Sequence, residues 1–386
     1  MGNYSKEIPH TRREIEQQPE LWIKTVKQMS EEKEKMEQFL HAIEKKHSHA
    51  RVIFTGAGTS AFIGETIYPY VRRAIRNKGW ESEAISTTNL TANPYLFLDK
   101  EIPTIMVSFA RSGNSPESVA AVELAEKLVD EFYEITITCN QDGALAKRKQ
   151  GEDRQLVLIL PEESNDKGLA MTSSYSTMVL TALYLFSEDK TSFAETILDV
   201  SSAGKGMLQE CADFIPRLLE TKFSRIVYLG SGVFEGLSRE SALKFLELTG
   251  GRFPTMFDTS LGFRHGPKSI LSSGTMVVVY VSNHPYTRKY DLDILKEIYS
   301  TEERGKLVVI SGKQDAEVEE YSDYQITIPL ADKEDIALAF PYVIFAQLFA
   351  YETSLHSGIS PDNPSPTGVI SRVVQGVQIY PFEGEN

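Results

Sequence analysis

The sequence presents one series of elements twice, and this repetition constrains the fold more than any other feature. The segment RVIFTGAGTSAFIGE begins at Arg51, and RIVYLGSGVFEGLSRE begins at Arg225. Each reads as a basic residue, a short apolar strand, a Gly-x-Gly turn and the start of a helix. The run TIMVSF at Thr104 is matched by TMVVVY at Thr275, and ITITCNQD by VVISGKQD, in the same order and at nearly constant offsets. A repeat of this length indicates two tandem domains and not a solenoid.

Short, apolar, β-branched strands alternate with helical stretches in both copies. This alternation predicts an α/β fold in which each copy is a parallel sheet flanked by helices, a three-layer sandwich of the flavodoxin-like or Rossmann-like kind. The segment before Arg51 is rich in charge, and its apolar residues recur at helical spacing, so N-terminal helices are expected there. These helices either bridge a domain or subunit interface or cap the first core. Ser and Gly residues interrupt the helical pattern near Asp199–Leu208. We therefore expect N-terminal helices over 1–45, the first domain over 46–205 and the second over 206–386.

Composition excludes several classes of function. The chain has 386 residues, 41% of them hydrophobic, and a net charge of −14, which argues against nucleic acid and anionic membranes as partners. Cys139 and Cys211 are too few for a disulfide framework, and Cys139, at the end of an apolar strand, is expected to be a buried thiol. No apolar stretch approaches the roughly 20 residues of a membrane span, and the N-terminus has no signal-peptide core. A cytoplasmic location is therefore expected.

A Ser- and Gly-rich loop follows the TIMVSF strand of the first copy and has no counterpart in the second. It reads ARSGNS, and a helix opens at Pro116, a residue suited to the first helical position. A helix N-terminus offers unpaired N–H groups and positive potential to an anion, while the hydroxyls of Ser112 and Ser115 add donors. The loop is therefore predicted to hold a phosphate.

Two further hydroxyl-rich loops are expected to reach the same place. Thr59 and Ser60 follow the first strand, and Thr172 and Ser173 follow Gly168. In open α/β sheets, ligands bind at the carboxyl ends of the strands, where these loops should meet. We favour one shared anion site, although each hydroxyl taken singly is better explained by ordinary helix capping.

The Gly-x-Gly turns do not indicate a dinucleotide site. That fingerprint needs a third glycine soon after the second and an acidic residue about 20 residues further on. Gly64 and Gly236 come too late, and the strand-like run Glu83–Ser86 leads into TTN, which has no carboxylate. His47 and His49 point to different sides of a charged helix. We therefore expect neither a cofactor nor a metal ion.

The second copy places three charged residues on one face of the helix after its Gly-x-Gly turn. Glu240, Lys244 and Glu247 are spaced i, i+4 and i+7, and such a stripe is usually solvated. This helix begins at a strand end where a ligand should lie, and His265 follows in a rigid His-Gly-Pro turn. A carboxylate, a lysine and a histidine near a phosphate are suited to proton transfer beside a carbonyl. A loop residue without function is the alternative for His265.

The GAGTS and ARSGNS loops together resemble those of the SIS (sugar isomerase) domain, a family that binds phosphosugars. The segments ESALKFLE and FRHGP resemble the isomerase half of glucosamine-6-phosphate synthase. Over residues 20–386 the chain is similar to the AgaS-type branch, whose members are named tagatose-6-phosphate ketose/aldose isomerase or galactosamine-6-phosphate deaminase/isomerase. The tail segments DNPSPTG and RVVQG also match that branch.

The resemblance implies a phosphate-binding set and a catalytic set of residues. The phosphate-binding set comprises Thr59, Ser60, Arg111, Ser112, Ser115, Thr172 and Ser173. In the catalytic set, Glu247 would be the base that moves a proton between C2 and C1, and Lys244 and Glu240 would orient and tune it. His265 would assist ring opening and, in related enzymes, comes from the neighbouring subunit.

Arg372 departs from the pattern of the synthase. The synthase places a lysine from near its C-terminus in the site, whereas the aligned basic residue here is Arg372. Because a guanidinium stays protonated and forms no Schiff base, Arg372 is expected to stabilise negative charge. The segment before it, Ser360–Gly368, is rich in proline and excludes regular structure.

The resemblance implies an enzyme that acts on a hexosamine or ketohexose 6-phosphate. The favoured reaction converts galactosamine 6-phosphate into tagatose 6-phosphate and ammonia, by proton transfer between C2 and C1 and hydrolysis of an imine. Two alternatives stay open: ketose/aldose isomerisation of tagatose 6-phosphate without deamination, and a non-catalytic protein that senses sugar phosphates. A homodimer or a dimer of dimers is expected, with His265 shared across subunits.

Overall fold

Two five-stranded parallel sheets form the framework of the protein, whose computed structural model describes residues 8–148, 153–372 and 376–384. The first sheet contains β1 (Ala50–Thr55), β2 (Trp80–Ala84), β3 (Thr104–Ala110), β4 (Phe132–Thr138) and β5 (Gln155–Ile159). The second contains β6 (Arg225–Gly230), β7 (Thr255–Asp258), β8 (Thr275–Val281), β9 (Lys306–Ser311) and β10 (Tyr324–Thr327). Each half of the repeat thus forms its own sheet.

The two sheets have the same topology. The strand order is β2-β1-β3-β4-β5 in the first and β7-β6-β8-β9-β10 in the second. Neighbouring strands run parallel throughout. This is the order of the flavodoxin-like fold, in which the ligand crevice opens between the first and third strands. The predicted α/β class and tandem arrangement are confirmed.

Helices cover both faces of each sheet. Helices α1 to α3, before the first sheet, span His10–Glu16, Gln18–Glu31 and Lys33–Lys46. Helices α4 to α9, in the first half, span Thr59–Ile75, Thr87–Ala92, Pro94–Phe97, Pro116–Leu128, Ala144–Lys147 and Ser173–Phe186. Helix α10 (Lys190–Leu219) leads to the second half, where α11 to α14 span Val233–Leu248, Pro285–Tyr299, Ala316–Glu320 and Asp335–His356.

The N-terminal helices bridge the two halves. In α2, the indole N–H of Trp22 donates to Ser176 Oγ of α9 at 2.9 Å, and the Trp22 ring packs edge-on against Phe340 of α14 at 5.3 Å. Gln18, also in α2, donates to Gln347 Oε1 of α14 at 2.7 Å. Of the two arrangements that the sequence allowed, the helices therefore pack across both domains rather than capping the first core alone.

The irregular C-terminal segment is tied to the first helix. The Asp362 carboxylate accepts hydrogen bonds from the backbone N–H groups of His10 and Thr11, at 2.9 and 2.8 Å, and from the Thr11 hydroxyl at 2.7 Å. Within the described part of the chain, Ser360–Gly368 forms neither helix nor strand, as its prolines predict. Three residues of the RVVQG segment, 373–375, lie outside the described residues.

Helix α10 runs unbroken through the domain boundary expected at residue 205. Gly204 faces α2, where a Cβ would lie 2.7 Å from the Trp22 ring, and Ser201 donates to the carbonyl of Pro19 at 2.7 Å. Small residues at these positions permit two helices to pack closely. The Ser- and Gly-rich stretch therefore marks a helix–helix contact, and no break in the chain accompanies it.

Helix α14 is the one described helix that is long and apolar enough to cross a membrane by length and composition. No apolar stretch of that length was expected from the sequence. The helix reaches that length only with its more polar ends. Since 94% of the apolar window is buried inside the protein, α14 is a core helix of the second half.

Candidate active site

A cavity of about 200 Å³ lies at the carboxyl ends of β1 and β3, the ligand position of this topology. Its walls come from both halves of the chain and from the C-terminal segment. The residues predicted from the sequence that line it are Thr59, Ser60, Arg111, Ser112, Ser115, Lys244, Glu247 and Arg372.

The loop Arg111–Ser115, here called the anion loop, has a sharp backbone turn and a free hydroxyl, both of which suit the predicted anion site. Gly113 has a φ of +67°, which turns the backbone sharply at low steric cost, and Asn140 Nδ2 holds the loop by donating to the Ser112 carbonyl at 2.8 Å. Ser115 is the N-cap of α7, yet its side chain accepts no capping hydrogen bond from the described residues. Ordinary capping therefore does not account for this hydroxyl, which remains available to a ligand.

Arg111 brings a buried positive charge to the cavity. Its side chain donates to the carbonyls of Gly168 and Leu169, at 3.3 and 3.1 Å, and to that of Arg372 at 3.1 Å. Burial lowers the pKa of Arg111, and the nearby carboxylate of Asp166 opposes this effect. Three carbonyls fix the direction of the guanidinium without neutralising it, so its charge is available to an anion.

Helix α11 carries residues of the second half into the cavity of the first. It crosses α4 so closely at Gly236 that a Cβ there would lie 2.5 Å from the backbone nitrogen of Thr66. Arg239 secures the crossing, since it pairs with Glu65 at 2.5 Å and stacks over the Phe62 ring at 4.6 Å. The glycine that comes too late for a dinucleotide fingerprint thus has a packing role.

Glu240, Lys244 and Glu247 form a cluster on the face of α11 toward the cavity. The side chains of Glu240 and Lys244 are completely buried, and that of Glu247 is 24% exposed. Lys244 Nζ donates to Glu247 Oε2 and lies 3.6 Å from Glu240 Oε1. Thr59 of the first half donates to Glu240 Oε1 at 3.4 Å. The cluster is therefore not the solvated stripe that its spacing alone would suggest.

Burial determines the protonation of this cluster. It raises the pKa of Glu240 to about 8, an effect that Lys244 opposes and Glu247 strengthens. Burial alone would lower the pKa of Lys244, but the two neighbouring carboxyl groups outweigh it and the pKa is raised. Near neutral pH, Lys244 is thus an ammonium and Glu240 is largely protonated. The charge of the lysine is directed at Glu247.

Thr172 and Ser173 were predicted to contribute to the anion site, but their polar groups are engaged elsewhere. The Asp166 carboxylate accepts from the N–H and hydroxyl of Thr172, at 2.8 and 2.9 Å, and from the N–H of Ser173 at 2.9 Å. The Ser173 hydroxyl donates to the Glu14 carbonyl at 2.6 Å. A carboxylate of the protein itself therefore occupies the N-terminus of α9, and neither residue is among the described residues that line the cavity.

Arg372 closes one side of the cavity. Its guanidinium donates to Asn165 Oδ1 at 3.0 Å and to the carbonyl of Asp166, while its own carbonyl accepts from Arg111. Two guanidinium groups thus lie beside the anion loop, as expected for charge stabilisation.

His265 lies away from this cavity. It is exposed and follows Phe263, which is fully buried and anchors the turn. Arg264 and Lys268, on either side of His265, both pair with Glu297. Within one subunit, the described lining of the cavity includes no histidine.

Two carboxyl groups at the site were not predicted from the sequence. Asp166 caps α9 from an irregular loop outside that helix. Such a loop has no periodic pattern that would indicate a cap. Glu117 is the second residue of α7, lines the cavity and is only 7% exposed. An acidic residue in a first helical turn is common enough to pass unnoticed.

Comparison with known proteins agrees with this architecture. The model of the SIS domain family matches residues 46–187 and 219–357, and the unmatched stretch between them contains nearly all of α10. The chain is 41% identical to D-galactosamine-6-phosphate deaminase AgaS of Escherichia coli O157:H7, over 97% of this chain and 96% of that protein. It is 37% identical to the protein of the same name from Shewanella sp. (strain ANA-3), over 96% of this chain and 92% of that protein. The crystal structure of tagatose-6-phosphate ketose/aldose isomerase from Escherichia coli matches with a TM-score of 0.89 at 39% identity, and the match covers 99% of this chain and 100% of that one.

Proposed function

The chain belongs to the SIS domain family, and from that membership we propose that it is a deaminase/isomerase, which converts galactosamine 6-phosphate and water into tagatose 6-phosphate and ammonia. The names of relatives that match nearly the whole chain support this reaction. The observation that carries the proposal is the single cavity that combines the anion loop of the first half with the Lys244–Glu247 pair of the second. Phosphate binding and proton transfer are thereby available to one small molecule.

The anion loop binds the phosphate of the substrate. The N–H groups at the start of α7 and the hydroxyls of Ser112 and Ser115 donate to the phosphate oxygens. The charges of Arg111 and Arg372 neutralise the dianion. Anchored in this way, the substrate extends its carbon chain toward α11.

Glu247 is the base for the chemical step. It removes the proton from C2 of the open-chain aldehyde, and the electron pair moves to give an enolamine between C1 and C2. The C1 oxygen takes up a proton from water as the enolamine forms. Return of the first proton to C1, with loss of an N–H proton to water, then produces an imine at C2. Water adds to this imine, and the C–N bond then breaks to release ammonia and leave the ketone of tagatose 6-phosphate.

Lys244 and Glu240 position and tune the base. The Lys244 ammonium holds the Glu247 carboxylate by a charge-assisted hydrogen bond. Burial raises the pKa of Glu240 and so favours its protonated form, in which it competes less with Glu247 for the lysine. The cluster therefore directs the positive charge of Lys244 at Glu247.

Isomerisation without deamination is the second candidate, since the crystal structure with a TM-score of 0.89 bears the name of a ketose/aldose isomerase. The same base and anion loop would serve, with a C2 hydroxyl in place of the amine. A sensor that only binds sugar phosphates is less favoured, because it would have no use for a buried lysine between two carboxyl groups, which is costly to keep in a folded protein.

A second copy of the chain would complete the site. His265 is exposed and outside the cavity of its own subunit, so it can serve in ring opening only if a neighbouring subunit brings it to that cavity. We therefore propose a homo-oligomer that is at least a dimer. A cytoplasmic location accords with two free cysteines, both buried as expected for Cys139, whose pKa burial raises to about 12.

The decisive experiment measures ammonia release from purified protein given galactosamine 6-phosphate, with glucosamine 6-phosphate in parallel. Ammonia and tagatose 6-phosphate formed in equal amounts from the galacto substrate would support the proposal. Interconversion of tagatose 6-phosphate with an aldose phosphate, without ammonia from either amine, would favour the isomerase. Binding without turnover of any of these compounds would overturn the enzymatic proposal.

A further inference from the structure

Glu117 is a buried carboxyl group that the proposed mechanism does not use. It lines the cavity, the residue is 7% exposed, and its Oε2 atom is fully buried. Among the described residues, no group donates a hydrogen bond to that oxygen. A buried carboxyl oxygen without a donor is unfavourable, so its retention calls for a ligand that supplies one.

A favourable interaction with the dipole of α7 does not explain this burial. An acidic residue in the first turn of a helix gains from the dipole without having to be buried. Glu20, in the first turn of α2, has such a position and its side chain is 78% exposed. The Glu117 side chain instead faces the cavity, which gives it a role toward whatever the cavity holds.

The partner of Glu117 is a hydroxyl and not the phosphate. A carboxylate repels a phosphate dianion and accepts hydrogen bonds, whereas the anion loop two residues earlier in the chain donates them. The base Glu247 reaches the cavity from the second half, on α11, and addresses C1 and C2. Glu117, close to the phosphate end, therefore meets the carbons between the phosphate and the reacting pair.

We propose that the Glu117 carboxylate accepts a hydrogen bond from a hydroxyl on C3, C4 or C5 of the substrate and is a specificity-determining residue. The identity of the ligand rests on the proposed function. A site built around a hydrogen bond to a hydroxyl rejects molecules that lack it, because the buried oxygen is then left unpaired. Glu117 thus distinguishes a sugar phosphate from phosphate alone.

The test compares the binding of galactitol 6-phosphate with that of inorganic phosphate, by calorimetry. Galactitol 6-phosphate carries the hydroxyls but no carbonyl, so it cannot react. In Glu117→Gln, we expect the Kd for galactitol 6-phosphate to rise about tenfold and the Kd for phosphate to change less than about twofold. Glu123→Gln, an exposed position of the same helix, is the matched control and should change neither. Glu117→Asp, which keeps the charge but shortens the reach, should reproduce the selective loss if Glu117→Gln does not fold.

Three results would overturn the proposal: unchanged binding of both ligands, equal weakening of both, or a lower Tm of Glu117→Gln without a selective change in Kd. The last would make Glu117 a structural residue of α7. Because the probe is not turned over, this outcome is separable from the ammonia assay. If the two Kd values change by the same factor in Glu117→Gln, the role of Glu117 is rejected while the proposed reaction stands. If no ammonia is formed, the reaction is rejected while selective binding by Glu117 stands.

Discussion

The loop after β3 and the loop after β8 occupy equivalent places in the two halves but have different surroundings. In the first half, the hydroxyls of Ser112 and Ser115 line a cavity. In the second, the N–H of Asn283 donates to Asp335 at 2.7 Å and the N–H of Ser282 donates to Asp291 at 2.9 Å. The second loop therefore binds carboxylates of its own chain where the first is open to a ligand.

The helices after the two Gly-x-Gly turns differ in the opposite sense. Gly58 and Gly232 have nearly the same φ, +57° and +63°, so the backbone turn is shared. The first turn leads into Thr59 and Ser60, and the second into Val233 and Phe234. The positions equivalent to the cluster on α11 are Thr66, Tyr70 and Arg73 on α4. On a single backbone plan, the first half carries the groups proposed to bind the phosphate and the second half those proposed to move the proton.

The sharpest way to break this comparison is to remove the base. Glu247→Gln should fold normally and reduce kcat about 1,000-fold, because an amide cannot take the C2 proton. Arg73→Gln, the equivalent position in the first half, is the control and should leave kcat nearly unchanged, since that side chain is 61% exposed. Steady-state kinetics with a thermal melt of each variant provide the measurement. Near-wild-type turnover in Glu247→Gln would transfer the role of base to another group.

Removal of a carboxylate that the second loop binds should lower the stability of the protein and leave its activity unchanged. Asp335→Ala leaves the N–H of Asn283 and the hydroxyl of Ser282 without their acceptor. We expect the free energy of unfolding to fall by about 2–3 kcal/mol, as for other hydrogen bonds to charged groups. The KM of the folded enzyme should not change. Urea denaturation gives the first quantity, with the exposed Asp332→Ala as control, and a raised KM would show that the second loop shapes the site.

A substitution in the first loop should instead change substrate binding. Ser112→Ala removes one donor to the phosphate and should raise KM about tenfold while kcat changes little, because the contact is made in both the ground and transition states. Ser282→Ala, at the matching place in the second loop, should lower stability and leave KM unchanged. An unchanged KM in Ser112→Ala would count against the anion loop as the phosphate site.

The smallest effect concerns the pH dependence of stability. Burial raises the pKa of Asp291 from 3.8 to about 6. Because the folded protein binds this proton more tightly than the unfolded chain, the stability contributed by Asp291 is lost as pH rises through that interval. The Tm of Asp291→Asn minus that of the wild type should therefore increase from about pH 4 to about pH 6 and then stay constant. For Glu240→Gln the rise should extend to about pH 8, and identical profiles would mean that the two buried acids do not differ.

The sequence predicted the centre of each sheet better than one of its two edges. The strands β3 and β8 are buried at every residue, and their apolar runs were recognisable without any structure. The edge strand β7 was not predicted, and β2 was seen only as the strand-like run Glu83–Ser86. Both are short, and β7 is half-buried along its whole length, so neither has a strong apolar pattern. A strand is recognised in a sequence through the apolar residues that it buries, and β2 and β7 bury fewer of them than the central strands.

The site was predictable to the extent that the topology brings strand ends together. Ser112 directly follows β3, whose carboxyl end was expected to carry ligand contacts. Glu247 lies in the last turn of α11 and reaches the same cavity because α11 packs closely on α4. The binding of Asp166 at the N-terminus of α9, in place of the predicted anion, could not be foreseen. The Asp166 carboxylate comes from a loop whose sequence has no periodic pattern. The boundary near residue 205 stays a prediction, and its Ser- and Gly-rich signal is ambiguous because Gly204 looks alike in a linker and in a tight helix contact.

The bridging contacts of the N-terminal helices have a consequence for the order of events during synthesis. Gln18 bonds to Gln347, and the N-terminus of α1 is capped by Asp362, so these contacts form only after segments more than 300 residues further along the chain have been translated. The usual order, in which N-terminal parts of a nascent chain fold first, is therefore not open to these contacts. The partners of α2 on α9 and α10 are translated earlier, so α2 packs in stages and completes its contacts only with α14.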